Sequence, residues 1–194
     1  MMKLPPDERA AMPPKEEMKP GRTVLELGNK KNAHGLYRNW YEERGLNYLC
    51  LDWNGEDGAI ALDMRYSITP ADVHPDFVNG FKMVTNFGFS EHVDDQLACW
   101  TNIHNLVAFD GWLCICMPLM PHWKGHGLWM PTYGWYLEFA RLNGYWIRFQ
   151  KVWDRERPTF VASMKKLGDC KVFEMPVGMI EQSGTRDPTS KEKQ

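Results

Sequence analysis

Short apolar runs alternate with amphipathic stretches along most of this 194-residue chain, and the runs end at glycines or polar residues. Thr23-Val-Leu-Glu-Leu27 reads as a first buried strand, followed by a glycine turn and a helix over about 33–44 that Gly45 ends. Residues 47–52 predict a second strand, 59–62 a short third, and 81–85 a fourth whose end meets Asn86 and Gly88. Val93, Leu97, Trp100, Ile103 and Val107 recur at helical spacing, and Asp110-Gly111 then turns the chain into a fifth strand at 112–117. A last helix over about 132–143 leads through Gly144 to two runs, 145–152 and 159–164, which read as a hairpin turning near Pro158. The alternation predicts an α/β fold: a Rossmann-like seven-stranded, mostly parallel sheet with helices on both faces and a C-terminal antiparallel hairpin.

Five prolines and many charges crowd residues 1–20, which predicts a flexible N-terminal arm, and the polar stretch 181–194 predicts a flexible tail. Between them, residues 21–180 make one domain, with no internal repeat. Hydrophobic residues at 43% and charged residues at 25% match an ordinary globular chain with a core of its own. A net charge of -2 supplies no basic surface, so nucleic acid is an unlikely partner. The five cysteines are odd in number, lack a CxxC pair and lie mostly in apolar runs, which predicts reduced, packed thiols and a cytoplasmic protein. No apolar leader or membrane-spanning run is visible.

Ligands of open α/β sheets bind beyond the carboxyl ends of the strands. Here those ends carry Glu26 and Gly28, then Asp52, then Asp63, then Asn86 with Glu91 and His92. Asp52 falls 26 residues after Glu26, close to the offset of about 20 at which an acid holds a ribose hydroxyl pair. Trp53 beside it could stack on an adenine face. Asp63 either accepts from an adenine amine or pairs with Arg65. The first loop, Gly28-Asn-Lys-Lys-Asn-Ala-His-Gly35, lacks the GxGxxG of a diphosphate binder, while Glu26 could hold an ammonium directly or through water. An amino-acid tail therefore fits better than a diphosphate. Lys30 and Lys31 read as a solvated pair.

In their order, Leu25-Glu-Leu-Gly-Asn29, Leu51-Asp-Trp-Asn-Gly-Glu-Asp-Gly58, Thr85-Asn-Phe-Gly-Phe-Ser-Glu-His-Val93 and Asn102-Ile-His-Asn105 resemble the class I S-adenosylmethionine (SAM) methyltransferases, in a little-characterised bacterial and viral branch. The resemblance covers roughly residues 22–165 and implies SAM as cofactor. It places Glu26 and Gly28 at the methionine part, Asp52 at the ribose, Asp63 and Met64 at the adenine, and Asn86 at the cleft floor; Asn29, Trp53, Phe87 and Gly88 complete the expected cofactor-binding set. The first loop departs from the family pattern: Asn29, Lys30 and Lys31 stand where further glycines are usual.

Methyl transfer to a hydroxyl needs alignment and a proton acceptor, and His92, His122 and His126 are the candidate bases. His122 and His126 are spaced i, i+4, but Pro121 and Gly125 argue for a loop, and no metal is expected. Trp123, Trp129, Tyr133, Trp135 and Tyr136 could wall an acceptor pocket. The expected function is SAM-dependent methylation of a small molecule, on a sugar or metabolite hydroxyl. The alternative is a SAM-binding protein without catalysis, acting as a regulator or assembly partner. The last hairpin or the aromatic loop could support a homodimer.

Overall fold

Val24, Leu25, Glu26 and Leu27 have no exposed surface, which is the burial expected of a strand enclosed by neighbours at its edges and by helices on both faces. In the computed structural model, which describes residues 3–32, 35–120, 123, 125–154, 157–168 and 172–181, that strand is central. In chain order the strands of the main sheet are β1 (Thr23–Leu27), β2 (Asn47–Asp52), β3 (Ile60–Ala61), β4 (Phe81–Phe87), β5 (Val107–Pro118), β6 (Tyr145–Trp153) and β7 (Thr159–Lys166). They form one seven-stranded sheet in the order β3-β2-β1-β4-β5-β7-β6. The pairs from β3 through β5 are parallel, and β7 lies antiparallel between β5 and β6. The expected mostly parallel sheet and C-terminal hairpin are both present.

Strand alternation sends successive side chains to opposite faces, and each face carries its own core. On one face, α1 (Pro6–Ala11) and α2 (Arg38–Glu42) cover Val24, Met83, Phe87, Cys114 and Val161. The opposite face, with Leu25, Leu27, Val84 and Ile115, is packed by α4 (Gln96–Leu106) and α5 (Tyr133–Leu142), the short α3 (Pro70–Val73) lying between α2 and α4 in the chain. Trp100, Trp135, Phe139 and Tyr136 fill it with tilted and stacked rings, Tyr136 lying 4.2 Å from Phe160 between centroids.

Three local expectations are corrected. Residues 1–20 are not a loose arm along their described length, because α1 seats Leu4, Ala11 and Met12 against the sheet. Pro6 stands at the start of that helix, where a missing N–H costs nothing, so the prolines start structure there instead of opposing it. Of the helix expected over 33–44, the described residues form α2, while Gly35–Leu36 pairs with Lys31–Asn32 in a two-residue ladder and Gly35 has φ +113°. α4 begins at Gln96 and not near Val93, because the Asp95 side chain accepts from Ala98 N at 2.9 Å and sets the helix start there. The tail residues 182–194 lie outside the described residues, as does Cys170. Cys50, Cys99, Cys114 and Cys116 are buried and unpaired, and burial pushes the Cys50 thiol up to about 12. Among the described residues no helix is long and apolar enough to cross a membrane.

Asn102 ties α4 to the segment after β3. Its side chain accepts from Ile68 N at 3.0 Å and donates to the Met64 and Tyr66 carbonyls at 3.0 and 2.7 Å, all from a nearly inaccessible position. Asn102→Ala strands these backbone groups, and urea denaturation should show a loss of about 3 kcal/mol. A loss within a few tenths of a kcal/mol would mean that the 64–68 segment holds its shape without this clamp.

Candidate functional site

Gly28, with φ +75°, turns the chain off β1, and its N–H donates to the Leu51 carbonyl at 2.9 Å. Asn29 N–H then donates to Asp52 Oδ2 at 3.0 Å, and the Asn29 side chain donates to the Glu56 carbonyl at 2.7 Å. The first loop and the β2 end are thereby joined, with Asp52 half-buried at their junction. The close approach that glycine permits at position 28 is made by Phe89: a Cβ there would stand 2.8 Å from Phe89 Cδ2.

Glu26 points to the α1/α2 face, fully buried, and its Oε2 accepts from the Tyr48 hydroxyl at 2.5 Å. Its Oε1 is buried without a hydrogen-bond partner among the described residues. Desolvation by burial is the largest influence on it and pushes the carboxyl up to about 8, against the smaller lowering effects of Tyr48 and Lys30. Lys30 is not a solvated lysine: its ammonium lies 3.5 Å from Glu8 Oε1, a carboxylate that α1 delivers over the loop. Burial raises Glu8 as well. Lys31 stays at the surface, 3.8 Å from Asp57.

The other candidate cofactor residues divide. Asp63 is gripped by Arg65, with Arg65 Nε 2.9 and 3.0 Å from its two oxygens, and these hydrogen bonds hold its carboxyl below the usual aspartate range. Met64 is a core side chain whose carbonyl is taken by Asn102. Trp53 is 57% exposed, free to present a ring face. Asn86 faces the α4 side of the sheet, where its amide donates to Ser90 Oγ at 2.9 Å and its oxygen accepts from Ser90 N, so it builds the turn at 90–92. Phe87 packs under α1 and α2. Gly88, with φ +66°, is approached by both Lys30 Nζ and Glu91 Oε1, 3.1 and 3.2 Å from where its Cβ would be.

His92 and His126 come together, their ring centroids 5.1 Å apart, although 34 positions separate them in the chain. Glu91, which sequence pattern offers only as a strand-end acid or a helix cap, lies at the centre of the pair: its Oε1 is 3.7 Å from His92 Nε2 and 3.5 Å from His126 Nε2. Both its carboxylate oxygens are buried. The 125–128 segment folds onto it, with Leu128 N–H donating to the Glu91 carbonyl at 2.7 Å. His122 lies outside the described residues. Trp135 and Tyr136 are buried core residues, since α5 turns them inward. Trp129 instead lines a shallow groove of about 720 Å³ with Arg65 and Tyr66 from the segment after β3 and with Asp94 and Leu97, so that Asp94 and Leu97 follow His92 in the chain and Trp129 follows His126.

No protein-family model and no curated protein matches the chain. Solved structures do. A SAM-dependent methyltransferase from Mesorhizobium loti aligns over 82% of this chain and 96% of its own, with a TM-score of 0.59 at 15% identity. The 1,6-didemethyltoxoflavin N1-methyltransferase of Burkholderia thailandensis, solved with 1,6-didemethyltoxoflavin and S-adenosylhomocysteine, aligns over 84% and 80% with a TM-score of 0.58 and the same identity. A Haloferax volcanii putative methyltransferase complexed with the activator Trm112 reaches 0.52 at 12% identity, over 78% and 88%. The fold is that of the class I SAM-dependent methyltransferases. In the sheet order the glycine turn after β1, Asp52 at the end of β2 and Gly88 after β4 stand at the ends of adjacent strands.

Glu26 makes stability depend on pH. Below its ordinary value of 4.5 it is neutral in both states; between there and about 8 the unfolded chain releases a proton that the folded chain keeps. Its contribution therefore falls as pH rises, at up to about 1.4 kcal/mol per pH unit, and levels off above 8. Glu26→Gln should flatten the decline in unfolding free energy between pH 5 and 8, measured by urea denaturation at several pH values. An unchanged slope would remove Glu26 as its source.

Proposed function

We propose that this protein is a SAM-dependent methyltransferase that methylates a hydroxyl of a small molecule such as a sugar or metabolite. The observation that carries the proposal is the junction of Asn29 N–H with the Asp52 carboxylate at 3.0 Å, beside a buried Glu26 oxygen without a hydrogen-bond partner among the described residues. These groups suit the two polar ends of SAM that a diphosphate would not satisfy: the ribose diol at Asp52, and the ammonium of the methionine part at Glu26. Gly28, Asn29 and Gly88 would offer backbone to the methionine part, with Asn86 holding the floor through Ser90. Trp53 would cover the adenine. Met64 and Phe87 would contribute main chain only, since their side chains are in the cores, and Asp63 would reach the adenine amine only on the side that Arg65 leaves open. Phe89 has to turn away from Gly28 to admit the methionine part.

When bound, SAM supplies an electrophilic methyl that passes to the acceptor oxygen in one in-line displacement, the S–C electron pair staying on sulfur. The chain's own task is to align the acceptor and to take its proton. We place proton removal at His92 and His126, with the acceptor body in the groove between Tyr66, Leu97 and Trp129. A net charge of -2 favours a small acceptor over nucleic acid. Four buried, unpaired thiols favour the cytoplasm, and the exposed Trp146 and Val152 on the edge strand β6 offer a homodimer contact.

Calorimetry on the full chain should detect binding of SAM and S-adenosylhomocysteine, and Asp52→Ala should weaken it at least about tenfold. Turnover against a library of hydroxylated metabolites should follow, falling about 100-fold or more in His92→Ala or His126→Ala. SAM binding with no turnover would favour the non-catalytic SAM-binding alternative. Tight NADH binding without SAM binding would overturn both.

A further inference from the structure

We propose that Glu91, His92 and His126 form a binding site for a borderline divalent cation of the Zn2+ type. The three side chains offer one carboxylate oxygen and two imidazole nitrogens, and these ligand atoms all lie within 4.8 Å of one another. For metal–ligand bonds of roughly 2.0–2.1 Å, a tetrahedral site needs its ligand atoms about 3.3 Å apart. The Glu91 oxygen is 3.7 Å from His92 Nε2 and 3.5 Å from His126 Nε2, within a few tenths of an ångström of that edge. A mixed nitrogen and oxygen set of this kind selects Zn2+ and its neighbours over Mg2+ or Ca2+, which take oxygen.

Burial supplies the second line of argument. Glu91 is 1% exposed, and neither carboxylate oxygen has a hydrogen-bond partner among the described residues. An enclosed carboxylate in that state costs several kcal/mol unless a positive charge compensates it. Both imidazoles bring Nε2 within 4 Å of its Oε1, and a cation held between all three removes the cost. The scaffold is also preformed. Asn86 and Ser90 pin the turn that carries Glu91, and Gln96 donates to the Ser90 carbonyl at 2.7 Å. Gly127 lets the 125–128 segment press onto Glu91, where a Cβ would stand 2.8 Å from Glu91 Cγ.

The site is open on its histidine side, with His92 and His126 32% and 41% exposed. Three protein ligands and an open face are the arrangement of a catalytic rather than a structural zinc centre. With a cation bound, both Nε2 lone pairs are committed to it, so the direct base role proposed above for His92 and His126 would pass to the cation: an acceptor hydroxyl held on the open face would release its proton to solvent at a lower pH than in bulk water. The groove lined by Trp129 and Leu97 leads from the same two segments.

The test uses the full chain without a histidine tag, stripped with a chelator and titrated with Zn2+ against a chromophoric competitor, in the absence of SAM. One equivalent should bind, and Co2+ should produce the visible d–d bands of a four- or five-coordinate site. Glu91→Gln, which keeps the side-chain shape, and His126→Ala should each weaken binding more than about 100-fold, beyond what the loss of an outer-shell partner costs. His74→Ala, which removes an exposed imidazole paired with Asp76, should leave it unchanged. No stoichiometric uptake, or uptake by Glu91→Gln and His126→Ala as tight as that of the unaltered chain, overturns the site. Because uptake is read without SAM, a failure here leaves the methyltransferase proposal standing, and a failure to bind SAM leaves the cation site standing.

Discussion

Parallel pairing of β1 with β2 on one side and β4 on the other sets where every candidate ligand can stand. Leu27 lies beside Leu51 and also beside Asn86, so three chains leave the sheet at one level. Their next residues are Gly28, Asp52 and Phe87, and the turn at Gly28 closes the gap between the first two through Asn29 and Asp52. A slip of one residue in either pairing would exchange the faces of β1, driving Glu26 into the apolar α4/α5 core. The leucines at 25 and 27 prevent that slip, because both are fully buried there.

The same alternation divides the site between the two faces of the sheet. Glu26 enters the layer under α1 and α2, where Tyr48 meets one oxygen and desolvation keeps the carboxyl largely protonated at neutral pH. Asn86 enters the opposite layer and is spent on the turn that presents Glu91 and His92. The proposed cofactor side therefore depends on the N-terminal helix, which brings Glu8 to Lys30, and the proposed acceptor side depends on α4 and the 125–128 segment. Closing Lys30 against Glu8 also answers the missing glycines of the first loop: its length is taken up by a small ladder and an ion pair in place of a tight glycine turn.

Burial without a hydrogen bond recurs among the described residues at Glu26 Oε1 and at the Glu91 carboxylate. The consequences differ. Glu26 lies among tyrosines and lowers its cost by holding a proton; Glu91 faces two imidazoles that can share a cation with it. Each is a position where folding alone leaves a polar group unsatisfied and a ligand of the right charge would satisfy it.

Local pattern was enough to determine the strands, their order of appearance and the polar residues at their ends, because a buried parallel strand must be apolar on both faces and must break at its end. Residues 23–27 show this most clearly, coinciding with the strand they predict, which is buried and parallel to both neighbours. The α1 packing was hidden, since prolines and charges describe a helix start and a loose arm equally well until a surface is there to bury Leu4 and Met12. For Asp63 the local reading left two roles open, adenine ligand and partner of Arg65, and only the folded turn shows Arg65 closed onto it. Glu91 was the least legible of all. Its place between two histidines distant in sequence exists only because β5 and the segment after it carry His126 back across the sheet, and that is a decision of tertiary structure alone.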